Sequence, residues 1–207
     1  EVDVSSLMYS RKRKVLTGVN YTVAKNEMTF FDTWRQDIQQ KLEENLHGYE
    51  VGITSFSEDE TKAVVVTYSD KSRGTYYYYD IDKNKLTELG EASPWLNEED
   101  MSDMKPVQYR SRDGLVINGY LTLPKGTNGK NLPVIVNPHG GPWHRDSWGY
   151  KSEIQFLAYR GFAVFQMNFR GSTGYGREFW EKSFKQWGKS MQDDISDGVN
   201  WLIDEGI

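Results

Sequence analysis

Two glycines flanked by prolines, in Pro133-Val-Ile-Val-Asn-Pro-His-Gly-Gly-Pro142, are the residues of this chain best suited to chemistry. A short apolar β-type run stops there at bare backbone, so the N–H groups of Gly140 and Gly141 can be approached without a side chain in the way. A pre-positioned amide at such a point stabilises a developing alkoxide in a water-poor site, which is the task of an oxyanion loop. The plainer alternative is a tight turn that ends a strand. The neighbouring residues must decide.

Other constellations carry less. His139, His144 and Asp146 are types that bind metal, but zinc needs three or four convergent ligands and only these lie close together, so no metal is expected. Gly171, Gly174 and Gly176 follow an apolar run and precede a helical one, where a phosphate loop belongs, yet they match neither GxGxxG nor GxxxxGK[ST]. A structural turn is the better reading, with Arg170 available for an ion pair or a substrate carbonyl. Glu43-Glu44 could hold a peptide amino terminus, but a solvated helix face accounts for the pair. No GxSxG occurs, there is no cysteine, and neither His139 nor His144 has an evident serine partner at a strand-to-helix elbow. No cofactor is called for.

Composition narrows the classes. With no cysteine among 207 residues, disulfides and thiolate chemistry are excluded. This does not fix the compartment; a cytoplasmic location is expected, with the periplasm as the other reading. A formal net charge of -5, with Lys and Arg dispersed, argues against nucleic acid or an anionic membrane as partner and favours short peptides or neutral solutes. No apolar run approaches the roughly 18 residues of a membrane span.

The elements that must position the loop fall into two groups. Up to about Met104 the chain reads as all-β. Val51 to Phe56, Ala63 to Tyr68, Gly74 to Ile81 and Lys85 to Leu89 are strands separated by turn clusters, an up-and-down sheet the size of a propeller blade. Leu7 to Ser10, Val19 to Val23 and Met28 to Phe31 make a partial earlier copy. Between them the pattern predicts a helix with Thr33 and Gln36 as a capping box, Trp34, Ile38, Leu42 and Leu46 as its apolar stripe, and Gly48 as its stop.

From residue 105 the grammar becomes α/β. Val107 to Arg112 and Leu115 to Leu123 form a hairpin across Asp113-Gly114. Val134 to Asn137, a helix from Ser152 to Arg160 and Phe162 to Asn168 form a βαβ unit with parallel strands. An aromatic helical stretch with Phe179, Trp180, Phe184 and Trp187 follows. A last helix begins near Met191, with Ser190 and Asp193 as a capping box and Ile195, Val199, Leu202 and Ile203 as its inner face. In an α/β-hydrolase sheet the oxyanion loop follows the third strand and the nucleophile elbow the fifth.

Taken together, Asn137-Pro-His-Gly-Gly-Pro-Trp-His-Arg-Asp-Ser-Trp148, Gln155-Phe-Leu-Ala158, Asn168-Phe-Arg-Gly-Ser-Thr-Gly-Tyr-Gly176, Gln186-Trp-Gly188 and Met191-Gln-Asp-Asp194 resemble the prolyl oligopeptidase family of serine peptidases. The acylaminoacyl peptidase branch is the one resembled. The likeness runs upstream through Ser111-Arg-Asp-Gly114 and Tyr120-Leu-Thr-Leu-Pro124 to Thr75-Tyr-Tyr-Tyr-Tyr-Asp80.

The resemblance implies a fold that is all-β plus α/β: the C-terminal part of a β-propeller over residues 1–104, then the N-terminal part of an α/β-hydrolase domain over 105–207. It implies hydrolysis of short peptides through an acyl-enzyme by a Ser, Asp and His triad. The backbone N–H of Gly141 becomes an oxyanion donor. His139 stands where other branches place a tyrosine with an oxyanion role, and bracing of the loop is the expectation for it.

The triad is expected beyond Ile207, so the chain reads as an interior piece, inactive alone and prone to associate through unpaired strands. The glutamate pair by which the dipeptidyl branch holds a free amino terminus is not transferred to Glu43-Glu44. A homo-oligomer of the complete protein is compatible with this reading. The other readings are a non-catalytic propeller and hydrolase-like module that binds peptides or partners, and an esterase on the same scaffold.

Overall fold

The computed structural model describes residues 2–207. Three sheets form in chain order. β1 (Val4–Ser10), β2 (Val15–Thr22) and β3 (Asn26–Phe30) make an antiparallel three-stranded sheet. Helix α1 (Thr33–Asn45) leads to β4 (Glu50–Phe56), β5 (Lys62–Tyr68), β6 (Thr75–Asp80) and β7 (Lys85–Glu91), a four-stranded up-and-down meander. The turn residues expected between its strands are where the chain reverses.

The cap of α1 is not the one expected. Asp32, one residue before Thr33, is the N-cap, and its Oδ1 accepts the N–H of Arg35 at 2.9 Å. Arg13 donates to both oxygens of Asp32, at 2.6 and 3.0 Å, so an ionised acceptor is fixed where a hydroxyl would be freer. Ile38 and Leu42 pack onto Val51, Ala63, Val65 and Tyr79, the core of this half, with Trp34 and Leu46 at its margin.

The third sheet is mixed. β8 (Met104–Arg110) and β9 (Val116–Thr122) form an antiparallel hairpin; β10 (Val134–Val136) and β11 (Ala163–Asn168) run parallel, joined through α2 (Ser152–Tyr159). The order is β10-β11-β9-β8. All six residues of β11 are buried, because helices cover both faces.

On one face Ile117, Leu121, Phe165 and Met167 meet Met191 and Leu202 of α4 (Ser190–Asp204). On the other, Tyr120 and Val164 meet Ile154 of α2. Burying each such side chain contributes about 1.5–3 kcal/mol, so this three-layer packing fixes where β10 and β11 end. The expected aromatic helix shrinks to α3 (Arg177–Glu181), in which only Phe179 is buried.

The expected inner face of α4 is also corrected. Val199 and Ile203 are exposed, while Asp194, Asp197 and Gly198 are buried beside Met191 and Leu202. Both aspartates are ion-paired, Asp194 with Arg170 and Asp197 with Arg112, and that neutralisation lets the more polar face go inward. No Ser190 capping box forms; its hydroxyl donates to Gln186 Oε1 at 3.2 Å.

Candidate active site

The loop after β10 leaves the sheet at its carboxyl edge. Asn137 N–H donates to Phe165 O at 2.8 Å, the last backbone bond that holds the strand direction before Pro138. His139 then turns back over the loop that follows β11. Its ring stacks on Phe169 at 4.5 Å and 15°, its Nε2 lies 2.8 Å from Ser172 Oγ, and its Nδ1 lies 2.9 Å from Gly140 O. Burial pushes the imidazole below its ordinary pKa, with the Gly140 carbonyl opposing that shift.

A neutral ring with its proton on Nδ1 donates to Gly140 O. That carbonyl and the N–H of Gly141 belong to one planar trans peptide and point in opposite directions, so fixing the first aims the second. Gly141 has φ +139°, and a Cβ on it would lie 2.9 Å from Trp143 N. Gly140 has open space where a Cβ would go. The two glycines thus serve different needs: Gly141 a strained turn, Gly140 an unobstructed approach. The turn closes with His144 N–H donating to Pro142 O at 2.9 Å.

Ser172 is wholly buried; with the His139 proton on Nδ1 its hydroxyl donates to Nε2 at 2.8 Å, and its Oγ lies 2.7 Å from Phe169 O. It is therefore a strut beneath His139 and not a nucleophile, since its hydroxyl is unreachable from solvent. Asp146 is equally structural. Its N–H donates to Asn168 Oδ1 at 2.7 Å, Asn168 Nδ2 donates back to Asp146 O at 3.0 Å, and Asp146 Oδ1 accepts from Gln166 Nε2 at 2.8 Å and from Lys151.

These bonds anchor the far end of the loop to the end of β11. In the sequence Asn168 reads as a strand end and the start of a motif, not as an anchor; the signal for that role is an amide at the last position of an otherwise apolar strand. His139, His144 and Asp146 do not converge, and no group of three or more metal-ligand types occurs among the described residues.

Arg170 is buried in an ion pair, the first of its two expected alternatives. Its Nε and Nη2 donate to Asp194 at 2.8 and 2.7 Å, its own N–H donates to Asp194 Oδ2 at 2.9 Å, and Nη1 donates to Asp113 at 2.8 Å. The Asp194 hydrogen bonds are the main reason its pKa lies above the ordinary arginine value. With those donors engaged and only 7% of the side chain exposed, a substrate carbonyl has no access to it.

Beside the glycines an aromatic wall faces outward. Trp143 packs on Trp180 at 5.8 Å and on Phe184 at 6.5 Å, and its indole N–H donates to Ser183 Oγ at 3.3 Å. Trp143, Phe184 and Trp187 line an open apolar groove along this wall.

The architecture and the loop together define an α/β unit with a two-glycine turn at the carboxyl edge of its mixed sheet. Residues 148–207 match the prolyl oligopeptidase family. A dipeptidyl aminopeptidase BIII of Pseudoxanthomonas mexicana is 36% identical over 165 residues, covering 76% of this chain and 24% of that protein.

Among solved structures, a puromycin-hydrolyzing peptidase of Mycobacterium tuberculosis superposes with a TM-score of 0.73 at 22% identity, covering 99% of this chain and 31% of the other. The acylaminoacyl peptidase of Pyrococcus horikoshii gives 0.68 at 19%, with the same coverages. The chain therefore spans 24% to 31% of the length of these relatives.

Proposed function

We propose that this chain supplies the charge-stabilising side of a serine peptidase active site that hydrolyses short peptides through an acyl-enzyme. The residues up to Met104 are read as the end of a β-propeller and those from Lys105 as the first half of an α/β-hydrolase domain. The observation that carries the reading is the braced Gly140–Gly141 peptide, aimed by His139 at the carboxyl edge of a mixed sheet. The Gly141 N–H is one oxyanion donor; the nucleophilic serine, its aspartate and its histidine are assigned to residues outside these 207. The names of the relatives, which include a dipeptidyl aminopeptidase, support peptides as substrates.

The full-length protein is expected to release p-nitroaniline from an aminoacyl or peptidyl anilide and to be labelled by a fluorophosphonate. The 207-residue chain alone is expected to do neither. Labelling of the short chain would refute the placement of the nucleophile. Hydrolysis of p-nitrophenyl esters without anilides would redirect the assignment to an esterase.

A further inference from the structure

We infer that Arg145 is a positioning residue that makes the turn between β2 and β3 a brace for the oxyanion loop. The inference rests on reading Gly141 as an oxyanion donor. Arg145 follows the loop by four residues, yet its guanidinium is spent mostly on distant backbone. Nη1 donates to Thr22 O at 3.3 Å, and Nη2 donates to Val23 O at 3.3 Å and to Tyr175 OH at 3.0 Å. Its Nε donates to Asp146 O at 3.2 Å, and the guanidinium lies 4.4 Å from the centre of the Tyr175 ring.

The same turn is also held by neighbours of Arg145. Tyr120 OH donates to Ala24 O at 2.7 Å, and Lys25 Nζ sits 3.7 Å over the Trp148 ring. The loop after β11 is tied to the start of β1 as well, through Gly174 N–H donating to Asp3 Oδ2 at 3.0 Å. A Cβ on Gly174 would lie 2.4 Å from Arg145 Nη1, so the backbone leaves room for the guanidinium in this place. From Arg145 the path to Gly141 is short: Thr173 N–H donates to His144 O at 3.0 Å, and His144 closes the turn on Pro142.

The partners of Arg145 set how it behaves. Among the described residues no carboxylate lies within ion-pair distance of it, whereas Arg170 has two. Neutral carbonyls about 3.3 Å away hold a cation less firmly than a carboxylate does, and both belong to one turn. Displacing that turn releases both bonds at once. The Gly141 donor is therefore in register only while the β2–β3 turn is docked, which couples the N-terminal sheet to the chemistry.

The test uses the full-length protein, a peptidyl p-nitroanilide, and the variants Arg145→Met, Arg145→Lys and Tyr120→Phe. Arg145→Met is expected to lower kcat about 10-fold with KM within about 2-fold, because the lost contacts act on the donor and not on substrate binding. Arg145→Lys, which can still reach one carbonyl, should recover part of the loss. Tyr120→Phe should lower kcat in the same direction, and Arg145→Met combined with Tyr120→Phe should cost little more than Arg145→Met alone, since both act through one turn.

Amide exchange of the peptide covering 139–148 should quicken in both single variants, with exchange in β5 and β11 unchanged. Unchanged kcat and unchanged loop exchange in Arg145→Met would overturn the inference. So would additive losses, or a uniform rise in exchange with kcat and KM failing together. Should the parent protein show neither turnover nor labelling, the functional reading fails, and loop exchange in Tyr120→Phe still decides whether the turn braces the loop.

Discussion

Removing the Asp194 carboxylate isolates a buried cation, Arg170, one residue beyond the Phe169 ring on which His139 stacks. Asp194 is fully buried and accepts three hydrogen bonds from Arg170, at 2.7 to 2.9 Å. The remaining partner, Asp113, has a side chain 47% exposed and takes only Nη1. Asp194→Ala therefore leaves an Arg170 side chain that is 7% exposed with one half-solvated counter-ion.

Breaking a buried pair from one side costs about 3–5 kcal/mol, and Asp113 keeps the expectation near the lower end, about 3 kcal/mol. Replacing both residues, Arg170→Met with Asp194→Leu, should recover most of that loss, because no charge is then stranded. Equilibrium urea unfolding at neutral pH measures both variants. A loss under about 1 kcal/mol for Asp194→Ala, or a double variant as unstable as the single one, would refute the account of this pair.

Three further expectations follow from the site. Gly141→Ala should reduce kcat of the full-length protein about 100-fold, whereas Gly140→Ala, with open space for its Cβ, should cost far less; steady-state kinetics compares them. His139→Phe keeps a ring to stack on Phe169 but loses both nitrogen contacts, so kcat should fall about 10-fold with KM little changed, as saturation curves on an anilide substrate would show. Hydrogen bonds from Arg112 chiefly lower the Asp197 pKa from the usual carboxylate range to about 2. Its stabilisation is complete above the unfolded value near 3.8 and is lost as pH falls toward 2; with Arg112 half exposed it is about 1–2 kcal/mol. Unfolding free energies of wild type and Asp197→Asn should differ at pH 5, and by only about a third as much at pH 2.5.

The strands and their turns were legible because alternation and turn residues are local signals: β4 to β7 appear within one or two residues of expectation, and the strands of the Asp113-Gly114 hairpin within three. Of the candidate site, the turn at Gly140 and Gly141 was legible, because there the residue type is itself the signal for exposed backbone. What escaped was non-local. Asp32 caps α1 because Arg13, on another element, holds it. The buried face of α4 carries aspartates because their arginines arrive from the β8–β9 turn and the end of β11. Ser172 and Asn168 gain their roles from partners on the far side of α2, which no spacing rule reaches.

The mixed sheet also sets an order of assembly. β8 and β9 are joined by a short turn and can pair early, while β11 must wait for that hairpin to offer an edge. Among the described residues β10 pairs with β11 alone, through three residues. The Gly140–Gly141 turn therefore takes shape only after residues made later in synthesis. A nascent chain that has passed Gly141 still lacks Phe169 and Ser172, the platform on which His139 rests.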